Sequence, residues 1–307
     1  MWDLLMSLAI MTGLTLALVA AGAYLQVRAS RRTQQTAILL AVCVMGIYLS
    51  CLWNSPLLVS LLPFSSAVIL GNWLVPCGGF LSGVLVFNRG IHPLRRGLLG
   101  CSLLLLSAYS LAGPVLGTAP RCANVEFERI LEFQTTDTTC SAACAAGLLR
   151  LHGIAATERE MASLCLTRRG THWLGVYRGL KLKTAGTEWE VVAERLTIPQ
   201  ILSAGSTPGV LSLSLSGWAA SRTEDSALAG LAGHSVVLLG TRQPGEVAVF
   251  DPSPDYGFDV WTEAALCGVD SAIRLRLVSR HGRTISAPVT ADADLLYHWN
   301  TVYWKRR

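Results

Sequence analysis

Hydrophobic positions are distributed unevenly along the chain. Four long apolar runs occupy about residues 4–26, 37–53, 66–87 and 97–116, and no comparable run follows Gly117. About 20 helical residues suffice to cross the hydrocarbon core of a bilayer, so each run is long enough or nearly long enough to span it. The pattern therefore predicts an N-terminal all-α transmembrane region of four helices, residues 1–117.

The first apolar run differs from a cleavable signal peptide. Residues 1–3 read MWD and supply no lysine or arginine in front of it, and the run exceeds the roughly 7–15 apolar residues that a signal peptide contains. We therefore expect this segment to remain as a membrane helix.

Positive charge orients the predicted spans. The loops after the first and third spans contain arginine, whereas the loop between the second and third spans has no charge; these arginines are Arg28, Arg31, Arg32, Arg89, Arg95 and Arg96. Loops rich in basic residues face the cytoplasm in most membrane proteins. The sequence thus predicts a multi-pass integral membrane protein whose C-terminal domain lies on the periplasmic or extracellular side.

The net charge of +5 comes from this membrane region. The chain has 25 basic and 20 acidic residues; six arginines and Asp3 precede Gly117, which leaves 19 residues of each sign after it. The C-terminal region is therefore neutral and lacks the basic excess that nucleic-acid binding requires. Only 15% of all residues are charged, so the predicted non-protein partner is the lipid bilayer.

After Gly117 the pattern changes to shorter elements. Residues 118–133 are predicted to form a linker, residues 134–290 a folded domain and residues 291–307 an aromatic and basic tail. Helical spacing follows Thr138 or Thr139 and continues to Gly153. A second helix is predicted after Thr157, which has Glu160 three residues later as in a capping box. A third helix is predicted from His172 to Leu182.

Strand-like runs follow these helices. They read WEVVAE, VLSLSLS, HSVVLLG, EVAVFD and AIRLRLVS, and a short helix is predicted at IPQIL between the first two. Helices followed by several strands are typical of an α+β domain with helices packed on an antiparallel sheet. The turn-rich loop after EVAVFD contains Asp255 and Asp259, which we expect to be solvated. Asp137 is expected to be a loop or capping carboxylate.

The stretch QTTDTTCSAAC, residues 134–144, places Cys140 where a helix is predicted to begin. A helix N-terminus and a neighbouring histidine both favour the thiolate form of cysteine. The alternative is that Cys140 is a small packing residue. Five cysteines follow Gly117: Cys122, Cys140, Cys144, Cys165 and Cys267. Because their number is odd, at least one thiol stays unpaired in an oxidising compartment. Cys144 is expected to be buried or disulfide-bonded.

A histidine and a carboxylate are predicted to lie together on neighbouring strands. His234 opens the run HSVVLLG, and the turn RQPGE returns the chain along EVAVF to Asp251. An antiparallel pair would bring Asp251 beside His234, where its carboxylate orients the imidazole. His172 is a weaker candidate base, because Gly-Thr-His equally suits a helix cap. Gln134 could join the N–H of Cys140 as an oxyanion donor.

These stretches resemble the bacteriocin-processing cysteine peptidases, which cleave double-glycine leaders and have a papain-like fold. The resemblance covers about residues 130–270 and is carried by QTTDTTCSAACAAGLLRLHG, GHSVVLLG and VAVFDPSPDYG, with RRGTHWLGVYRGLKLK where the family has a helix flanking the substrate groove. It implies that Cys140 is the nucleophile, His234 the general base, Asp251 its orienting partner and Gln134 the oxyanion donor. Where the family usually has Asp-Cys-Gly-Pro, this chain has Thr-Cys-Ser-Ala.

The resemblance also implies a peptide or protein substrate cleaved after small residues such as Gly-Gly. No cofactor or metal is predicted, since the chain has no CxxC pair and no HExxH. It also has no GxxxxGK[ST] phosphate-binding loop, so export would require a separate exporter as partner. Three alternatives remain: a peptide-binding module that assists an exporter without cutting, an acyl-enzyme transferase, and a purely structural membrane protein.

Overall fold

The computed structural model describes residues 2–123, 126–215 and 233–282. The chain divides into two compact units, Met1–Leu116 and Gly117–Arg307. The predicted tail, residues 291–307, and the end of the predicted domain, residues 283–290, lie outside the described residues.

The described part of the N-terminal unit is helical. Its helices are α1 Trp2–Arg28, α2 Arg31–Ile47, α3 Leu57–Leu61, α4 Ala67–Leu70, α5 Leu74–Val86 and α6 Pro93–Ala112. A π-helical turn extends α2 and a 3-10 turn extends α6, at Tyr48–Leu52 and Gly113–Val115.

Four helical stretches of this unit are long and apolar enough to cross a membrane. They are Trp2–Arg28, Arg31–Leu52, Ala67–Val86 and Pro93–Val115. Each overlaps one predicted span. The third stretch is interrupted at residues 71–73, between α4 and α5, and the short helix α3 is not apparent from the sequence pattern.

Glycines allow α1 and α5 to approach each other closely. A Cβ atom on Gly22 would collide with the backbone oxygen of Phe80, and one on Gly83 would collide with that of Val19. Small residues at such contacts are a common means of packing helices in lipid, where close backbone approach provides van der Waals contact.

The C-terminal unit contains helices and one antiparallel sheet. The helices are α7 Cys140–Leu151, α8 Glu158–Leu164, α9 Trp173–Lys183 and α10 Ile198–Leu202. The strands are β1 Trp189–Leu196, β2 Gly209–Leu215, β3 Gly233–Gln243, β4 Glu246–Asp251, β5 Gly257–Trp261 and β6 Val269–Ser279, in the spatial order β1-β6-β2-β3-β4-β5. Every recorded strand pair is antiparallel, so this unit is an α+β fold.

Strand β5 corrects the expectation of a loop after EVAVFD. Asp259 lies in this strand opposite Val249 of β4. Its carboxylate is exposed but accepts a hydrogen bond from the Trp261 indole N–H at 3.0 Å. The sequence obscured the strand because it is short and follows a segment rich in proline, aspartate and glycine.

The predicted capping box at α8 is only half formed. The Thr157 hydroxyl accepts a hydrogen bond from the Glu160 N–H at 3.2 Å, as expected. The Glu160 carboxylate, however, forms an ion pair with Lys183 Nζ at 2.8 Å. A complete capping box is found instead at α10, between Thr197 and Gln200.

Both faces of the central strands are covered. In β3 all residues from His234 to Gly240 are buried, although an exposed sheet face would leave every second residue accessible. Helix α7 packs against β2 and β3, and α10 packs against β1 and β4. One core cluster includes Ile201, Leu211, Leu213, Val236, Leu238, Val247, Val249 and Trp261.

The end of the predicted linker belongs to the packed C-terminal unit. Ile130 and Leu131 are each only 1% exposed. The buried guanidinium of Arg150 in α7 donates to the Ile130 and Ala156 carbonyl oxygens at 2.7 and 3.0 Å, and to the Glu132 carboxylate at 3.2 Å. One arginine thus ties this segment to the helix that begins at Cys140.

Replacing Arg150 should destabilise the C-terminal unit strongly. In Arg150→Ala the Glu132 carboxylate and two carbonyl groups lose a buried donor, and breaking a buried ion pair costs about 3 kcal/mol or more. Thermal unfolding of the detergent-solubilised protein measures the effect. Arg242→Ala is the matched control, because its pair with Glu246 is more exposed and removing it should cost about 0.5 kcal/mol. Equal stability of the two variants would contradict this assignment.

Candidate active site

The polar loop before α7 is anchored at two points. The Gln134 N–H donates to the Pro252 carbonyl at 2.7 Å, directly after the end of β4. The Thr135 N–H and hydroxyl both donate to the Glu158 carboxylate, at 2.9 and 2.8 Å. Glu158 is 2% exposed, so its charge is compensated within the protein, and the loop is fixed against both α8 and the end of β4.

Threonine side chains determine how α7 begins. Thr139 occupies the N-cap position but makes no side-chain bond to the helix; its buried hydroxyl donates to the Thr136 carbonyl at 2.9 Å. The backbone N–H groups of Cys140 and Ser141 have no acceptor among the described residues. The positive end of the helix dipole is therefore left uncapped at Cys140.

Strands β3 and β4 bring a histidine and an aspartate together. Their register pairs Val237 with Phe250, which places Asp251 toward the start of β3, near His234. His234 Nε2 lies 2.8 Å from Asp251 Oδ2, and the other carboxylate oxygen accepts the Ser253 N–H at 2.8 Å. Both side chains are buried, at 6% and 1% exposure. The imidazole therefore donates through Nε2, which leaves Nδ1 for a second partner.

That second partner is Cys140. Burial by itself raises the pKa of the Cys140 thiol, but hydrogen bonds from His234, the Ser235 N–H and the Ser141 hydroxyl outweigh it, and the pKa is lowered. Burial by itself lowers the pKa of His234, whereas its hydrogen bonds to Asp251 and Cys140 raise this pKa to about 9. Both shifts favour a thiolate and imidazolium pair.

Two buried cysteines of this unit, Cys144 and Cys165, have pKa values shifted in the opposite direction. All nine cysteines of the chain are described, and all are free, so the expected alternative of a disulfide at Cys144 is not found. Burial raises the pKa of Cys144 well above its usual value, with a further contribution from the charges of Cys140 and Asp251. Burial also raises the pKa of Cys165, to about 12.

A cavity of about 360 Å³ opens over the cysteine and histidine. Residues after α8 form one side of it and residues of β2 form another; the lining includes Cys140, His234, Gly170, Thr171, Ser212 and Leu213. Most of these side chains are short. The volume lies at the lower end of the range for ligand-binding sites, which is about 300–1,000 Å³.

Two further candidates from the sequence lie outside this cavity. The side chain of Gln134 does not line it, and its Oε1 atom is buried without a hydrogen-bond partner among the described residues. His172 is the N-cap of α9, where its Nδ1 accepts the Leu174 N–H at 3.3 Å, and the residue is exposed. Within the described part of the chain, no group of three His, Cys, Asp or Glu side chains is arranged to hold a metal ion.

Sequence reasoning missed two serines of this site. Ser141 follows Cys140 and Ser235 follows His234, and their hydroxyl oxygens lie 2.8 Å apart in the protein interior. Their positions after the two candidate residues were the one available signal, but no local pattern indicates that they meet.

Comparisons with known proteins gave a limited result. No protein-family model matches this chain, and a search of the curated proteins finds no match. Among solved structures, the peptidase domain of Streptococcus ComA, a bi-functional ABC transporter involved in a quorum sensing pathway, aligns at 17% identity with a TM-score of 0.36, covering 49% of this chain and 98% of that domain. The peptidase domain of Streptococcus mutans ComA aligns at 17% identity with a TM-score of 0.31, covering 48% and 98%.

Alkylation of Cys140 should depend on His234. In the wild type we expect Cys140 to react with iodoacetamide with a midpoint at lower pH than an ordinary thiol. In His234→Ala the largest contribution that opposes burial is lost, so the midpoint should move upward and the rate at pH 6.5 should fall at least about tenfold, since one pKa unit changes the thiolate fraction tenfold. Peptide mapping after quenching assigns the label to Cys140.

His172→Ala provides the matched control for this experiment. It removes a histidine of the same unit that does not line the cavity, so the Cys140 profile should stay unchanged. Identical profiles for the wild type and His234→Ala would show that His234 does not activate the thiol.

Proposed function

We propose that this protein is a membrane-anchored cysteine peptidase whose C-terminal unit is papain-like and cleaves a peptide or leader substrate. The observation that carries the proposal is the continuous set of contacts from Cys140 to His234 to Asp251 beneath a cavity at a helix N-terminus. Each group has the environment that a nucleophile, a general base and an orienting carboxylate require.

Acylation would begin from the thiolate and imidazolium pair. Cys140 Sγ attacks the carbonyl carbon of the scissile peptide bond, and the carbonyl oxygen takes the negative charge of the tetrahedral intermediate. Collapse of this intermediate breaks the carbon–nitrogen bond. His234 Nδ1 gives its proton to the departing amine, while Nε2 keeps its hydrogen bond to Asp251. A thioester at Cys140 remains.

Hydrolysis of the thioester would reverse these roles. The neutral imidazole accepts a proton from water through Nδ1, and the water oxygen attacks the thioester carbonyl. The second tetrahedral intermediate releases a carboxylic acid and restores the thiolate and imidazolium pair. Asp251 needs no proton of its own in either step, because its two oxygens already accept from His234 and Ser253.

The oxyanion would be held by backbone and side-chain donors. The Cys140 N–H has no other acceptor among the described residues and lies next to the attacking sulfur, which supports its role as one donor. The Gln134 amide is proposed as the second. Its backbone is fixed to Pro252, and its amide would have to turn toward the cavity when substrate binds. Donors of this kind often reach their final geometry only in the complex.

The proposed substrate is an extended peptide cleaved after small residues such as Gly-Gly. The short side chains and glycines lining the modest cavity are consistent with small groups next to the scissile bond. The four apolar helical stretches would anchor the peptidase in the membrane. With the arginine-rich loops in the cytoplasm, the C-terminal unit would face the periplasm or the cell exterior, and any export would need a separate exporter.

Peptide cleavage tests the proposal directly. Detergent-solubilised protein is incubated with peptides that contain a Gly-Gly site in ¹⁸O-labelled water, and the products are identified by mass spectrometry. We expect an acid product that contains ¹⁸O, and a loss of at least about a thousandfold in rate for Cys140→Ala or His234→Ala. Cys165→Ala removes another buried thiol of the same unit and should retain the wild-type rate.

The same experiment separates the alternatives to a peptidase. A product joined to an added amine or thiol would indicate a transferase. Peptide that is bound but uncut would indicate a binding module. Wild-type behaviour of Cys140→Ala would leave a structural membrane protein as the remaining reading.

The pH dependence of cleavage should respond to Asp251. Activity should rise as the Cys140 thiolate forms and fall as His234 loses its proton near pH 9. Contacts with Asp251 raise the pKa of His234, so in Asp251→Ala the falling limb should move to lower pH and the maximum rate should drop about a hundredfold. Asp259→Ala, which removes an exposed carboxylate on β5, should leave both limbs in place. A profile that shifts equally in both variants would refute the role given to Asp251.

A further inference from the structure

The first turn of α7 and the start of β3 are joined by a buried contact between two serines. Ser141 Oγ lies 2.8 Å from Ser235 Oγ, and the two residues are only 3% and 1% exposed. Ser141 directly follows Cys140 in the chain, and Ser235 directly follows His234. The contact therefore links the backbone positions next to the proposed nucleophile and the proposed base.

The backbone of Ser235 is also held by the same helix. The Cys144 thiol, one turn beyond Cys140, donates to the Ser235 carbonyl oxygen at 3.2 Å. The Ser235 N–H also contributes to lowering the pKa of the Cys140 thiol. Recorded pairing between β3 and β4 begins only at Val237 and Phe250, so this end of β3 lies beyond the β4 pairing and in contact with α7.

We propose that Ser141 and Ser235 are positioning residues, whose hydroxyl–hydroxyl hydrogen bond sets the distance between Cys140 Sγ and the His234 imidazole. The proposal rests on the proposed function of that pair. Neither serine is assigned a chemical step. Their contact holds Cys140 and His234, the residues that precede them in the chain, at a fixed separation.

Apolar packing alone would fix this distance poorly. The other side chains along this part of α7 are largely alanine, including Ala142, Ala143, Ala145 and Ala146, which are at most 4% exposed. Contacts between methyl groups have little directionality, so a helix could slide along the sheet by a fraction of an ångström at small cost. A hydrogen bond depends steeply on distance and angle, and a buried hydroxyl without a partner is costly. The serine pair therefore opposes sliding at the one place where it matters for the sulfur and the imidazole.

The Cys140 sulfur is the third member of this cluster. Ser141 Oγ is 4.0 Å from Cys140 Sγ, at the long limit for a hydrogen bond to sulfur. The 2.8 Å contact allows Ser235 to donate its proton to Ser141, and in that arrangement the Ser141 proton is free to point toward the thiolate. Ser235 would then support the thiolate both by placing α7 and by orienting the hydroxyl of Ser141.

The test compares the pH dependence of Cys140 alkylation, which requires no knowledge of the substrate. The full-length protein in detergent is treated with iodoacetamide between pH 5 and 9, and peptide mapping isolates the label on Cys140. In Ser235→Ala and in Ser141→Ala we expect the midpoint to move to higher pH and the rate at pH 6.5 to fall roughly fivefold, the factor expected for one buried neutral hydrogen bond. The double variant should lose no more than the single variants, because they remove the same bond.

A matched control separates positioning from general stability. Thr184 is 3% exposed and donates its hydroxyl to the Leu180 carbonyl at 3.0 Å, at the end of α9 and outside the cavity. Thr184→Val should lower the melting temperature but leave the Cys140 profile unchanged. If Ser235→Ala unfolds, Ser141→Ala and the double variant carry the test, since the double variant leaves no hydroxyl unpaired.

The outcomes distinguish this inference from the proposed function. A wild-type Cys140 with an ordinary thiol profile would remove the proposed function and this inference together. A low midpoint in the wild type that is unchanged in Ser235→Ala, Ser141→Ala and the double variant would overturn the positioning role alone. Shifted midpoints in the serine variants, with Thr184→Val unchanged, would support it.

Discussion

The buried hydrogen bond between His234 and Asp251 is the constraint on which the site depends. A carboxylate that is 1% exposed must be compensated inside the protein, and Asp251 meets this requirement with the imidazole and the Ser253 N–H. Its position at the end of β4 follows from the β3–β4 register. Because Nε2 is committed to Asp251, Nδ1 is directed to Cys140. One register therefore determines which ring nitrogen is left for a second partner.

Placing the sulfur opposite that nitrogen is the task of the loop before α7. The Gln134 N–H donates a hydrogen bond to the carbonyl oxygen of Pro252, the residue after Asp251. The Thr135 N–H donates to the buried carboxylate of Glu158. The loop is thereby tied to the same strand end that fixes the histidine. Arg150, within α7, forms hydrogen bonds with Ile130 and Glu132, in the segment that precedes this loop. The helix start is thus held by polar contacts to three parts of the fold, while its alanines allow it to lie close to the sheet.

Parts of this arrangement could be predicted from local patterns, and parts could not. The apolar runs indicate the four long helical stretches, and the turn RQPGE between two apolar runs indicates the β3–β4 pair that joins His234 to Asp251. Strand β5 escaped detection because it is short and follows turn residues. Glu158 directly follows the predicted N-cap Thr157, and no sequence pattern indicates that it is buried and accepts hydrogen bonds from Thr135. The contact between Ser141 and Ser235 depends on how α7 lies across β3, which sequence periodicity does not specify.

Cys140 and Cys144 lie in different electrostatic environments. The two residues are one turn apart on the same helix, and burial raises the pKa of both. Only Cys140 contacts the imidazole of His234 and the Ser235 N–H, and only its pKa falls. The Cys144 thiol meets the Ser235 carbonyl oxygen, which accepts a proton donor and so favours the neutral thiol. The two backbone groups of Ser235 on β3 thus act differently on the two cysteines. Its N–H contributes to lowering the pKa of Cys140, whereas its carbonyl oxygen accepts a hydrogen bond from the Cys144 thiol.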